Sequence, residues 1–363
     1  KSADLFFLGG GINVSKNRNK YAGFFEIQPK PIEKIDIKIA GRFEEFENDS
    51  SFDPKISFKY IASENLTLRA SRSSSFSMPS MAQMFSSDIN LGSVRDFDGN
   101  SPFVRQAQIG NPNLKPATSK NLNIGLIFEN QKHRLSIDYW NIDYKNRIEA
   151  QSAQVILNTD PNGPSITRNS NGDLIGVTTT YFNEESTEVS GVDLSFNRLL
   201  TSSDTFGDVS LAVNSTTLIE FLTPALGNEG NEIMINRVGK FNYDTNTHSL
   251  PKNRINAFLN WKYQDYDINF NSRYIDGYSN ERPINSLGTS YGYNNSVDSF
   301  FVHDLSVKKL LMTNRGEIDI KLSIINVFDE AAPRLYDAPD FSFDTRVHDP
   351  RGRIIGISFE YRN

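Results

Sequence analysis

The sequence predicts an all-β protein: an antiparallel meander of about 13 or 14 long strands of the kind that wall a transmembrane β-barrel. Three observations carry this. Apolar and polar residues alternate with a period of two in segments about 9–11 residues long, which suits a tilted membrane-crossing strand better than the usual soluble strand of about 5–6. Connections alternate short and long, as they do when tight turns lie at one rim and long excursions at the other. Aromatic residues (Tyr60, Phe128, Trp261, Tyr263, Tyr266, Tyr361) sit on apolar faces beside the short turns, where an interfacial girdle belongs.

Each element follows from that pattern. Leu5–Leu8 and a Gly9-Gly10-Gly11 break precede the first clear strand, Tyr21–Gln28. Pro29-Lys30-Pro31 turns into Ile35, Ile37, Ile39, Gly41 and Phe43, which alternate with Asp36, Lys38, Ala40, Arg42 and Glu44. Ile56, Phe58 and Tyr60 form the next apolar face, and Ser63-Glu64-Asn65 turns into Leu66, Leu68 and Ala70. A loop from Phe76 to Pro116 leads to Leu122, Ile124, Leu126 and Phe128, and a turn near Asn130 to Leu135, Ile137 and Tyr139. There the apolar phase moves to Trp140, Ile142 and Tyr144, which predicts a bulge. A loop over 150–180 precedes Val192, Leu194 and Phe196, and a turn near Ser203 gives Val209, Leu211 and Val213. A loop over 221–249 leads to Ile255–Tyr263, a turn at Gln264-Asp265 and then Tyr266–Tyr274. The last loops, over 277–297 and beyond Phe328, frame Phe301–Leu311 and the closing hairpin. In that hairpin Ile318, Ile320, Leu322 and Ile324 share one face with Ile355, Ile357, Phe359 and Tyr361 in the final strand. The opposite faces of the strands, with Asp36, Lys38, Arg42, Asn123, Asp267, Asn269, Asn271, Arg273 and Lys321, are assigned to a wet lumen.

Composition agrees. Mean hydropathy is -0.46, which a barrel tolerates because only every second wall residue must be apolar. No run approaches the roughly 18 apolar residues of a spanning helix. A net charge of -6 and an acidic pI of 5.4 argue against a nucleic-acid partner. With no cysteine, disulfide frameworks, thiolate metal sites and cysteine nucleophiles are excluded. Lys1–Leu8 lacks the order of a signal peptide, and a start inside a strand-like segment suggests a fragment of something longer. A soluble sandwich or solenoid also alternates, but it would not sort its turns and aromatics by rim, and no fixed repeat runs through the chain.

Several stretches are similar to the barrel domain of TonB-dependent outer-membrane receptors. Arg69-Ala70-Ser71-Arg72 with Phe76-Ser77-Met78-Pro79-Ser80 and Phe85 resembles the segment where an ascending strand enters a loop. Asn111-Pro112-Asn113-Leu114-Lys115-Pro116 resembles the family's lead into the next strand, with Ala117 where Glu is usual. Ser190-Gly191-Val192-Asp193-Leu194, Leu250-Pro251-Lys252-Asn253-Arg254, Asn326-Val327-Phe328-Asp329 and Asp349-Pro350-Arg351-Gly352-Arg353 resemble later strand starts and ends, in the family's order. The resemblance implies that residues 1–363 are the C-terminal part of a 22-stranded barrel domain whose lumen is plugged, with the plug domain and TonB box absent. It implies energised import of a scarce nutrient across the outer membrane of a Gram-negative bacterium, powered by the TonB-ExbB-ExbD complex. The expected cargo is a ferric siderophore-type complex. Oligosaccharide, cobalamin and haem remain alternatives, as does a passive porin. The family commonly ends in an aromatic residue; here the chain ends Tyr361-Arg362-Asn363, so either a final residue is missing or Tyr361 serves.

Binding is expected in the long loops. Phe241, Tyr243, Tyr278, Arg282, Tyr291 and Tyr293 offer stacking surface and polar tips, and Arg334, Tyr336 and Arg346 could hold an anion. Packing between loops and solvation are the competing readings of the same residues. Asp96, Asp98 and Asn100 space oxygens as a calcium loop does but lack its later Glu. No other metal and no cofactor is expected. His133, His248, His303 and His348 are scattered without the pairing of a zinc site, and are read as surface or lumen residues. No enzyme is expected, since no nucleophile-base-acid set can be assembled and no phosphate or dinucleotide fingerprint occurs. Asp304 opposite a lumen arginine reads as an ion pair rather than a catalytic base.

Overall fold

A computed structural model describes residues 10–11, 14–46, 49–226, 231–242, 245, 247–314, 316–336 and 342–362. Among these, thirteen long strands form the wall, each hydrogen-bonded antiparallel to the next. They are β1 (Lys20–Ile27), β2 (Ile35–Phe46), β3 (Ser50–Ile61), β4 (Leu66–Ser77), β5 (Ala117–Glu129), β6 (His133–Ala150), β7 (Leu174–Ser203), β8 (Gly207–Leu226), β9 (Asn253–Tyr263), β10 (Tyr266–Ile275), β11 (Phe300–Thr313), β12 (Gly316–Ile325) and β13 (Ile354–Arg362). The predicted meander is therefore present.

Register puts the apolar positions on one face. Ile37, Phe58, Ala70, Ile124, Tyr139 and Val192 lie side by side across β2 to β7. Val209, Trp261, Ile268, Val307, Leu322 and Ile357 continue across β8 to β13. Among the described residues nothing covers this face: Phe58 is 41% exposed, Ile124 52% and Ile357 64%. A soluble protein rarely leaves so wide an apolar surface open; hydrocarbon is the solvent that suits it. Both clusters of buried apolar residues lie in the loops instead.

The other face is a ladder of polar contacts. Arg69 bonds Asp138 and Ser136, Asn260 bonds Asp267 at 2.6 Å, and Lys308 pairs with Asp319 at 2.9 Å. Arg273 meets Asp304 at 3.1 Å, the lumen pair expected from the sequence. Gly125 stands beside Asp138, where an added Cβ would collide with the carboxylate and approach Arg69 Nε to 3.1 Å. The missing side chain makes room for that ion pair.

Three expectations need correction, and the loops hold helices that the sequence pattern does not reveal. The bulge at Tyr139–Trp140 is absent: pairing of β6 with β5 and β7 runs through it without a shift, so Trp140 takes the lumen side. Gly191, paired with Trp140, leaves the indole its space. The backbone irregularity comes later, at Asn146 with φ 54°. Short and long connections do not alternate everywhere, because β2 and β3 are joined at the loop rim by a short link. Among the described residues the long loops carry three short helices that polar composition hid, each N-capped by a side chain: Met81–Phe85 by Ser80, Ala153–Thr159 by Ser152 and Ser286–Ser290 by Asn285. His348 is neither surface nor lumen but buried within the loops at 3% exposure.

Among the described residues, β1 pairs only with β2 and β13 only with β12. Among the described residues the sheet therefore does not close on itself.

Candidate functional site

The long loops gather above one rim into two bodies. The first, here the tower, grows from the loops after β4 and β6 and from the upper end of β7. That strand is 30 residues long, roughly 100 Å at about 3.3 Å per residue, so it rises far beyond a membrane. Phe103–Ile109 runs parallel to Gly176–Thr180, with Ser87–Ser93 on its other side. Val94, Val104, Ala153, Leu157, Leu174 and Val177 form the tower's core. Arg168 clamps the tower by giving two bonds of 2.7 Å to the carboxylate of Asp96, while its guanidinium lies 4.9 Å from the Phe97 ring centre.

Those contacts bear on the calcium reading. Both oxygens of Asp96 serve Arg168, whose hydrogen bonds hold the carboxyl below the usual carboxylate range, and Asp98 accepts from Asn100 at 2.7 and 2.9 Å. A cation there would have to displace a guanidinium. Among the described residues, no group of three His, Cys, Asp or Glu is placed to hold a metal.

The second body, the cap, fuses the loops after β8, β10 and β12. Phe241 (2% exposed), Tyr278 (4%), Val297 and Leu335 form its core, with Val347 beside them. The backbones of Phe241 and Ser279 bond at 2.9 Å, and Tyr278 donates to Asp344 at 2.8 Å. His348 stacks parallel on Tyr278, with Phe300 edge-on. Burial pushes its imidazole down to about 4.

The predicted site residues divide. Phe241 and Tyr278 hold the cap together from inside, as the packing reading allowed. Tyr293, Arg334 and Tyr336 lock two loops: the guanidinium lies 4.3 Å over the Tyr293 ring, and Tyr336 meets that ring edge-on. The Arg334 hydrogen bond also holds the Tyr293 phenol below its usual range. Tyr291 stands 64% exposed, its carbonyl accepting from Arg334. Tyr243 lies outside the described residues. Arg346 and Arg282 reach the gap between the two bodies.

Two recesses line that gap. One, of about 370 Å³, lies between Gln106, Gln151 and Gln154 of the tower and Thr247, His248 and Arg346 of the cap. The other, of about 280 Å³, joins Asp96, Phe97 and Gln154 to the buried Arg282. Gln154 lines both, fixed by bonds to Arg95 N and O and to Asn158. Burial, reinforced by the charges of Arg346 and Arg147, lowers the affinity of His248 for a proton. It therefore offers a neutral donor-acceptor ring beside a cation. A further concavity of about 690 Å³ follows the luminal wall near Arg69 and Asp138 at the short-turn rim, and is one side of the lumen rather than a closed site. The sequence reading missed the three glutamines and His248, because residues far apart in the chain meet only when both loop bodies form.

An outward apolar belt and a polar opposite face, with long loops raised above one rim, are the features of part of a transmembrane β-barrel wall. The chain belongs to the TonB dependent receptor-like, β-barrel family, whose profile matches residues 5–326. In solved structures it is similar to the siderophore receptor PirA from Acinetobacter baumannii (19% identity, TM-score 0.62, 94% of this chain and 45% of that one). It is also similar to the ferric enterobactin receptor PfeA from Pseudomonas aeruginosa (17%, 0.58, 95% and 46%) and to the FrpB iron transporter from Neisseria meningitidis (11%, 0.57, 97% and 44%). At these identities the likeness is one of fold, and the chain spans less than half the length of each. No curated protein matches the sequence.

Proposed function

We propose that this chain forms the C-terminal wall and ligand cleft of an outer-membrane receptor that imports a ferric siderophore-type complex into a Gram-negative cell. Energy would come through TonB-ExbB-ExbD acting on a plug within the completed barrel. The observation that carries the reading is the cleft: Arg346 and Arg282 on the cap face a row of tower amides, Gln106, Gln151 and Gln154. Cations beside the amides of Gln106 and Gln151, with Gln154 held behind them by its own bonds to Arg95 and Asn158, suit a bulky, oxygen-rich anion, and a scarce anionic iron chelate meets that description. The solved relatives named for siderophore, enterobactin or iron support the same cargo class. The amides and hydroxyls outnumber the charges, which favours an oligosaccharide as second reading.

Titration of the full-length receptor with a ferric catecholate chelate and with a neutral oligosaccharide separates the two. The siderophore reading expects chelate binding that weakens about tenfold or more in Arg346→Ala and Gln151→Ala, near 1.4 kcal/mol for one charged hydrogen bond. Binding of the oligosaccharide alone would reverse the order.

A further inference from the structure

The larger recess of the cleft, of about 370 Å³, is lopsided in charge. Among the described residues that line it, Arg346 alone carries a charge and His248 alone titrates near neutral pH; no carboxylate is present. The tower side brings only neutral groups, among them the amides of Gln106, Gln151 and Gln154 and the hydroxyls of Ser93 and Ser152. Arg346 is exposed, and among the described residues no acid lies within ion-pair distance of its guanidinium. His248 is exposed too, and its ring makes no hydrogen bond to any described group.

Three charged groups act on that imidazole. Burial first, and then the charges of Arg346 from the last loop and Arg147 from the upper end of β6, disfavour a proton on it. Arg147 is itself engaged by Glu149 and Glu184. Asp344 favours the proton, but at 3% exposure it is turned into the cap core. There it accepts from the Tyr278 hydroxyl at 2.8 Å and from the Arg346 backbone N–H at 3.0 Å. An anion entering the recess would therefore bring the negative charge that its lining lacks. An opposite charge within about 4–6 Å favours the charged form of a titrating group, so the same ring that stays neutral in the empty cleft becomes a cation beside a bound anion. A neutral ligand would leave it as it is.

We propose that an anion binding in this recess draws one proton from solvent onto His248, so that the imidazolium and Arg346 hold it together. This rests on the cleft being the ligand site, and the test keeps the two apart. Full-length receptor in detergent would be titrated with a ferric catecholate chelate by calorimetry in two buffers of different ionisation enthalpy. The range would run from about pH 7.5 to 5.5, around the ordinary histidine value of about 6.5. Wild type is expected to take up protons on binding and to bind more tightly as pH falls, by up to about tenfold per pH unit for one linked proton. His248→Gln keeps a donor and an acceptor but cannot titrate, and should lose both the uptake and the slope. Arg346→Gln removes the repelling charge and should move the uptake to higher pH. Ionisation of the chelate and of His348 is common to all three receptors and cancels in the comparison. Equal uptake in wild type and His248→Gln, an unmoved profile in Arg346→Gln, or chelate binding to wild type without uptake would overturn the inference and leave the cargo reading standing. A wild-type receptor that binds the chelate at no pH would overturn both.

Discussion

At the scale of single residues, two buried groups make the loop bodies sensitive to acid. Asp96 is held below its ordinary value by Arg168, so the stability it adds to the tower is present above about pH 4. It is lost as pH falls through its depressed folded value. Asp96→Asn should cost the tower about 3 kcal/mol, the low end for removing one partner of a buried pair. Faster amide exchange over Val104–Ile109, with the wall unchanged, would show it. His348 has the complementary behaviour. Its folded value near 4 lies below the ordinary value of about 6.5, so the neutral ring favours the closed cap fully only above that pH. Cap stability should decline from about pH 6.5 towards pH 4, read as proteolysis in the loops around Leu335, and His348→Phe should flatten the profile. An unchanged profile in that variant would remove His348 as the cause. Neither group's role was legible in the sequence: Asp96 looked like a calcium ligand and His348 like a surface residue, because burial and partner are set by chain segments dozens of residues away.

At the scale of elements, strand identity was legible and strand detail was not. A period of two dictates which side chains share a face, and the register bears that out from Ile37 to Ile357. The apolar phase at Trp140, Ile142 and Tyr144 predicts a bulge only if those side chains face lipid, and the unshifted register turns them to the lumen. In the sheet Trp140 fits the lumen side, where Gly191 opposite it presents no side chain. Gly191→Ala would bring a methyl to 2.5 Å from the indole and 2.8 Å from the Thr217 carbonyl. Overpacking of this kind costs about 1–3 kcal/mol. The expected result is a lower midpoint of heat-modifiable mobility, partly restored by Trp140→Phe; an unchanged midpoint would mean that the strands part to accept the methyl. Strands also outran their predicted ends. β7 begins at Leu174 and β8 reaches Leu226, because pairing with neighbouring loop segments continues the ladder where the alternation of apolar residues has ended.

At the scale of the whole molecule, the wall has two strands with one neighbour each. The N–H and C=O groups of β1 and β13 that face outward along the sheet lack partners among the described residues, which hydrocarbon does not tolerate. The solved relatives are about twice as long as this chain. The 363 residues folded by themselves into detergent are therefore expected to aggregate or to show no heat-modifiable band, whereas a chain supplying the remaining strands should show one. A stable monomeric band from the 363 residues alone would require β1 and β13 to find each other.

The sequence by itself determined the existence of the strands, the faces of most of them and the family, since these rest on local periodicity and motif order. Tertiary structure alone decided the cleft, the locked Tyr293-Arg334-Tyr336 contact, and the buried Phe241 and Tyr278. The physical reason is range. Alternation is written between neighbours in the chain, whereas a site made where separate loops converge depends on distances that no spacing in the sequence encodes.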